Sequence, residues 1–157
     1  MEQKSDNPGV HIPPPIIFVG IFLLALLIQK YLPIGNQFFY TLFSTIIGFV
    51  LLFAGILFVF FAIRRFLITK NTLITVRPAT SLQTVGVYSL SRNPIYTGFL
   101  FVYSGAGFLV GNWWHFVLFP VLLFIVQEYV IKREENYLFR RFGETFSEYK
   151  KEVRRWL

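Results

Sequence analysis

Two short stretches hold most of the residues in this chain that are suited to chemistry. The first is Arg92-Asn93-Pro94-Ile95-Tyr96-Thr97-Gly98; the second is Arg133-Glu134-Glu135-Asn136-Tyr137-Leu138. A guanidinium, an amide, a phenol and paired carboxylates suit the holding of a charged small molecule. The chain has no cysteine, which excludes disulfides, thiolate metal sites and thiolate nucleophiles. Its two histidines, His11 and His115, lack ligand-like spacing, so no metal site is expected.

Each candidate has two readings from the residues alone. Asn93-Pro94 is a helix start signal, since Asn caps well and Pro suits the first helical position. With Arg92 just before it, that helix start can receive a carboxylate or phosphate, or it is an interfacial arginine beside a structural cap. Tyr96 can send its hydroxyl to a ligand and Gly98 can admit close packing. They read equally as an interface aromatic and a helix-packing glycine. Glu134 and Glu135 can hold an ammonium or ribose hydroxyls, or form a solvated face paired with Lys132 and Arg133.

The elements that must position these groups follow from the charge pattern. Hydrophobic residues make up 55% of the 157, too many for an ordinary soluble domain. No charged residue occurs in 7–29, 31–63 or 93–127, and roughly 20 apolar residues span a bilayer as helix. Residues 1–14 read as a flexible Pro-rich tail without the features of a secretory signal, and 16–31 and 38–65 as membrane helices. The gap 93–127 is too long for one crossing. Gly105, Gly107, Gly111 and Asn112 near its middle, followed by Trp113 and Trp114, predict a hairpin with spans at 94–109 and 114–131. A connector, 66–92, and a helical tail, 132–157, complete an all-α, integral membrane protein with four membrane-spanning helices.

Four spans place both termini on one side. The N-tail, the 64–92 region and the C-tail carry 14 of the 15 Lys and Arg residues, so the positive-inside bias puts both termini in the cytoplasm. The net charge of +7 is thus explained by anionic headgroups, and no nucleic-acid partner is expected. In the tail, Tyr137 or Leu138, Phe142, Phe146, Tyr149, Val153 and Trp156 recur at helical spacing. Gly143 reads as a C-cap and Thr145 with Glu148 as a capping box for a final amphipathic helix, set to lie on the membrane or fold over the domain.

Taken in order, Arg92-Asn93-Pro94-Ile95-Tyr96-Thr97-Gly98, a hydrophobic hairpin, Glu134-Glu135-Asn136-Tyr137-Leu138, Phe142-Gly143, Tyr149 and Val153-Arg154-Arg155 form a set. Upstream lie Lys70-Asn71-Thr72, Pro78, Leu82 and Gly86-Val87-Tyr88. Over roughly 66–157 this set resembles the integral membrane isoprenylcysteine carboxyl methyltransferase and phospholipid N-methyltransferase superfamily. Residues 1–65 contribute only hydrophobicity.

The resemblance implies S-adenosylmethionine-dependent methyl transfer, with cofactor from the cytoplasm and a hydrophobic or lipidic substrate from the bilayer. Carried over, Tyr88, Arg92, Asn93, Tyr96, Gly98, Glu134 and Glu135 would bind the cofactor, with Arg92, Tyr96 and Glu135 as positioning groups. Arg154 and Arg155 match a basic position at the substrate or cofactor end. Where isoprenylcysteine enzymes have His, this chain has Asn93, which cannot titrate near neutral pH. Methyl transfer from a sulfonium needs neither metal nor covalent nucleophile. The acceptor class stays open among carboxylate, amine and thiol. Two further readings remain: an NADPH-binding protein like the C-terminal part of membrane sterol reductases, which are far longer, and a non-catalytic membrane scaffold.

Overall fold

The structure, a computed structural model, describes residues 7–69 and 80–157. The Lys70 to Pro78 portion of the motif set, and the start of the N-terminal tail, lie outside the described residues.

Helix α1 (Pro14–Tyr31) opens on proline, whose absent N–H costs nothing in a first turn. Residues expected to begin the second span instead form a separate 3-10 turn, Gln37–Tyr40. Thr41, extended at φ −83° and ψ 149°, ends that turn and caps α2 (Leu42–Ile68) by accepting from the Ser44 N–H at 3.2 Å. Helix α3 (Pro94–Val110) closes on Gly111 in the left-handed region, φ 70°. Helix α4 (Trp114–Ile125) runs without a break through a π-helical turn, Val126–Ile131, into α5 (Lys132–Phe142). Gly143, at φ 52°, ends the rod, and α6 (Glu144–Glu152) follows. Thr145 is already inside α6, and the Gly143 carbonyl accepts from the Phe146 and Ser147 N–H groups. The expected Thr145–Glu148 capping box is therefore not the start signal; the glycine is.

Every described element is helical. Three helices are long and apolar enough to cross a membrane: α1, α2 and the Trp114–Phe142 rod. Helix α3 is apolar but only 17 residues long, about 25 Å of helix against a hydrocarbon core of about 30 Å. Large apolar side chains along α2, among them Phe43, Phe49 and Phe53, are each more than half exposed, as suits a lipid-facing surface.

The closest packing is between α2 and α3, whose contacts run antiparallel. A Cβ added at Gly55 would lie 2.6 Å from the Gly98 carbonyl, and one at Gly98 2.8 Å from the Gly55 carbonyl. Two turns away, a Cβ at Gly105 would sit 2.7 Å from the Gly48 carbonyl. Glycines facing glycines let two backbones approach where a side chain would hold them apart. Helix α1 packs on α4: the Phe22 and His115 rings lie 4.2 Å apart, Asn112 Nδ2 donates to Ala25 O at 3.0 Å, and Trp114 Nε1 to Leu32 O at 2.8 Å. Phe18–Phe99 and Tyr103–Phe119 ring contacts join α3 to both.

One end of this bundle gathers the N-terminal segment 7–13, the segment 80–93 and the tail. The described part of the N-terminal tail contacts the long rod. The Tyr129 hydroxyl accepts from His11 and Ile12 N–H at 3.2 and 3.1 Å, Arg133 donates to Gly9 O at 2.8 Å, and Val10 is buried.

Candidate functional site

The site is built where a short connector meets the tail. A 3-10 turn, Gly86–Ser89, leads into Ser91, Arg92 and Asn93 and then into α3. Segment 150–155 lies across these residues and is stitched to them through its carbonyls. Arg92 N–H donates to Arg154 O at 2.9 Å, and Arg92 Nη1 to Lys150 O at 2.9 Å and Val153 O at 3.2 Å. Ser91 Oγ and Asn93 Nδ2 both donate to Arg155 O at 3.1 Å. From α6, the Tyr149 hydroxyl donates to Tyr88 O at 2.6 Å. The amphipathic tail thus folds over the domain. Asn93 does not cap α3 with its side chain; the amide serves the tail.

At the centre Glu135 is held by two arginines. Arg92 Nη2 donates to Glu135 Oε1 at 3.0 Å, while Arg155 donates to Oε1 from Nε at 3.1 Å and to Oε2 from Nη2 at 2.6 Å. The Arg92 and Glu135 side chains are 8% and 9% exposed. Burial would raise the Glu135 carboxyl, but the Arg155 hydrogen bond and the Arg155 and Arg92 charges outweigh it and hold it below the ordinary carboxylate range. In return, the bond to Glu135 raises Arg155.

Its neighbour is arranged in the opposite way. Glu134 Oε1 accepts from the Tyr96 hydroxyl at 2.6 Å, and no basic side chain pairs with Glu134 among the described residues. The charged helix α5 stands beyond the apolar part of its rod. There burial pushes the Glu134 carboxyl from the usual 4.5 up to about 7, the Tyr96 hydrogen bond opposing and the Glu135 charge adding to the rise. Two adjacent carboxylates therefore do different jobs. Glu135 is consumed by the fold; Glu134 is available.

Tyr88, Arg92, Asn93, Glu134 and Glu135 line one pocket of about 80 Å³, joined by Gln83, Phe146 and Tyr149. Tyr96 reaches it through Glu134. Gly98 faces α2, where Val59 and Gly55 are its nearest neighbours; its role in the structure is helix packing. Arg154 is exposed and contributes a carbonyl, while Arg155 is spent on Glu135. Gln83, Phe146 and Tyr149 were not singled out for the site from sequence. The helical recurrence of Phe146 and Tyr149 hinted at an inward face, and Tyr149 also stood in the motif set.

The donor set could hold a small molecule that carries both charges and a flat ring. Glu134 offers a carboxyl that holds only the Tyr96 hydroxyl, and Arg92 Nε is a buried donor with no hydrogen-bond partner among the described residues. Tyr88, Phe146 and Tyr149 supply flat apolar faces. On the other side of Thr97 lies an apolar groove of about 670 Å³, lined by Leu100, Phe101, Phe119, Leu123 and Trp156. Thr97 lines the groove, and its hydroxyl donates to the carbonyl of Asn93, a residue of the pocket, at 3.1 Å and lies 3.2 Å from Ser91 Oγ. Among the described residues no cluster of His, Asp or Glu could hold a metal ion.

Fold and site together define a small helical membrane protein with a charged pocket at one end of its bundle. Residues 43–145 match the phospholipid methyltransferase family, and the chain belongs to it. It is 36% identical over 72 residues to a protein-S-isoprenylcysteine O-methyltransferase of Schizosaccharomyces pombe, covering 46% of this chain and 30% of that protein. An uncharacterized protein of Haemophilus influenzae is 40% identical over 37 residues, 24% of this chain and 59% of the relative. The chain thus spans less than two thirds of either relative. No solved structure matches it significantly.

Proposed function

We propose that the chain transfers a methyl group from S-adenosylmethionine to a hydrophobic or lipidic acceptor at the cytoplasmic face of a membrane that it crosses four times. The observation that carries this reading is Glu134, a carboxylate with no cationic partner among the described residues, bonded to Tyr96, whose neighbour Thr97 lines an apolar groove. Family membership and the isoprenylcysteine methyltransferase relative supply the reaction class. The cofactor, when bound, supplies a methyl on a sulfonium, already activated for direct displacement.

The chain's own residues then have defined tasks. Glu134, ionised on binding, neutralises the ammonium or sulfonium, with the Tyr96 hydroxyl fixing its orientation. Arg92 Nε is the donor left for a carboxylate. Tyr88, Phe146 and Tyr149 keep water from the nucleoside. Glu135, Arg92 and Arg155 hold the tail in place as a wall. The pocket is smaller than a nucleoside, so its walls part on binding. No residue at the site is placed as a nucleophile, and Asn93 cannot serve as a base. An acceptor that arrives ionised, a carboxylate, therefore fits better than a protonated amine, which must first lose a proton. Both termini are cytoplasmic in this reading, because 14 of 15 basic residues lie in the segments of that side.

Calorimetric titration of the detergent-purified chain with S-adenosylmethionine and S-adenosylhomocysteine, with NADPH as control, tests it. Micromolar binding of the first two that falls at least tenfold in Glu134→Gln supports the assignment. A folded, lipid-supplied sample that binds neither overturns it, and binding of NADPH alone promotes a reductase.

A further inference from the structure

The sequence has no acidic residue between Asp6 and Glu128. Basic side chains in that interval find a carboxylate only across the fold, as Arg92 does. Arg64 and Arg65, near the end of α2, find none among the described residues. Arg64 is exposed, and among the described residues Arg65 donates only from Nε, to Gln83 Oε1 at 3.1 Å. Both guanidiniums open onto a groove of about 360 Å³ whose other walls are apolar: Phe61, Ile68, Val85 and Leu90. Those four side chains are 45 to 59% exposed. Two adjacent uncompensated cations within an exposed apolar rim match a surface that is anionic and oily at once.

We propose that this groove binds the phosphate of an anionic glycerophospholipid, with Arg64 and Arg65 on the phosphate and the apolar rim against the first part of the acyl chains. Arginine is the better of the two basic residues here, because its planar fork holds phosphate oxygens in pairs. The groove's far wall is the 3-10 turn Gly86–Ser89, and that turn has two faces. Val87 lines the arginine groove while Tyr88 lines the candidate active site. A bound headgroup therefore braces the turn that carries Tyr88. The lipid is a structural ligand in its own site, separate from any acceptor in the groove beside Thr97.

Native mass spectrometry of the delipidated full chain, supplied with phosphatidylglycerol or phosphatidylcholine, tests this. Each basic residue beside an anionic surface is worth about fivefold in affinity, so Arg64→Gln predicts a loss of about fivefold and Arg64→Gln/Arg65→Gln about thirtyfold for phosphatidylglycerol. Arg64→Lys retains most of the binding, and Arg141→Gln/Lys151→Gln, an equal charge change on another exposed surface, leaves it unchanged. Thermal unfolding confirms that Arg64→Gln, whose side chain has no hydrogen bond or ion pair to lose among the described residues, stays folded. Equal retention of the two lipids, an equal loss in the Arg141/Lys151 control, or full competition by glycerol phosphate at the lipid's own concentration overturns the proposal.

Discussion

The sharpest consequence of the site is that Glu134 and Glu135, adjacent in sequence, fail in different ways when changed. Glu135→Ala removes the anion between Arg92 and Arg155 while Arg92 stays 8% exposed. Removing one partner of a buried ion pair costs about 3–5 kcal/mol, because the other charge is left without compensation. Arg155, 26% exposed, can turn to water, so the lower end of that range, about 3 kcal/mol, applies. The loss also has a place. The Arg155 side chain no longer anchors segment 150–155, which then frays. Glu134→Gln breaks no ion pair and keeps an oxygen for the Tyr96 hydroxyl, so its cost stays within about 1 kcal/mol. Equilibrium unfolding in mixed micelles gives the two stabilities, and limited trypsin digestion at Lys150, Lys151 and Arg154 reports the tail. Cofactor titration of each folded variant completes the comparison. The reasoning is refuted if Glu135→Ala is as stable and protease-resistant as the parent, or if Glu134→Gln costs as much as Glu135→Ala.

Other outcomes follow from the same geometry. With Glu134 raised from 4.5 to about 7 in the fold, its contribution to stability is complete below pH 4.5 and declines as pH rises to about 7, since the unfolded chain gives up its proton first. Glu134→Gln should flatten that decline in pH-dependent unfolding, and an unchanged slope would assign it elsewhere. Binding a cation beside Glu134 at pH 6 should release protons, which appears as buffer-dependent heat in calorimetry and vanishes in the same variant. Gly98→Ala places a methyl 2.8 Å from the Gly55 carbonyl and should cost about 1–3 kcal/mol while the folded fraction keeps its cofactor affinity; a pure affinity loss would return Gly98 to the pocket. Tyr149→Phe should cost about 1–3 kcal/mol by stranding the Tyr88 carbonyl and should increase tail digestion.

What the sequence made legible was local or periodic. The charge-free gaps announced the membrane helices, Asn93-Pro94 marked the start of α3, and Gly143 marked the end of α5, because each signal lies within a few residues of its effect. The fold gathers Tyr88, Arg92, Asn93, Glu134 and Glu135 of that motif set around one pocket. Their division of labour was not legible. Whether a glutamate is paired depends on which arginine folds back on it, and Arg155 reaches Glu135 only after the chain turns at Gly143. The two readings of Gly98 stayed open in sequence for a related reason. A glycine that permits close approach does not say what approaches, and here it is Gly55 of α2. Asn93 was read as a cap because caps are local, yet its amide bonds to Arg155 O far along the chain.

The π-helical turn at Val126–Ile131 gives the long rod an independence of its two ends. An α-helix advances about 100° per residue, so one extra residue wound into a single turn rotates everything beyond it by about that angle. Leu122, Val126 and Val130 can point into the apolar core while Glu135 and Tyr137, past the turn, also point inward. Removing one residue such as Gln127 would leave composition and hydrophobicity almost untouched yet swing the Glu134–Glu135 pair off its target, as a mis-keyed shaft turns a gear to the wrong tooth. Because the turn sets that phase, substitutions can retune the lipid-embedded half of the rod without re-aiming the carboxylates at its other end.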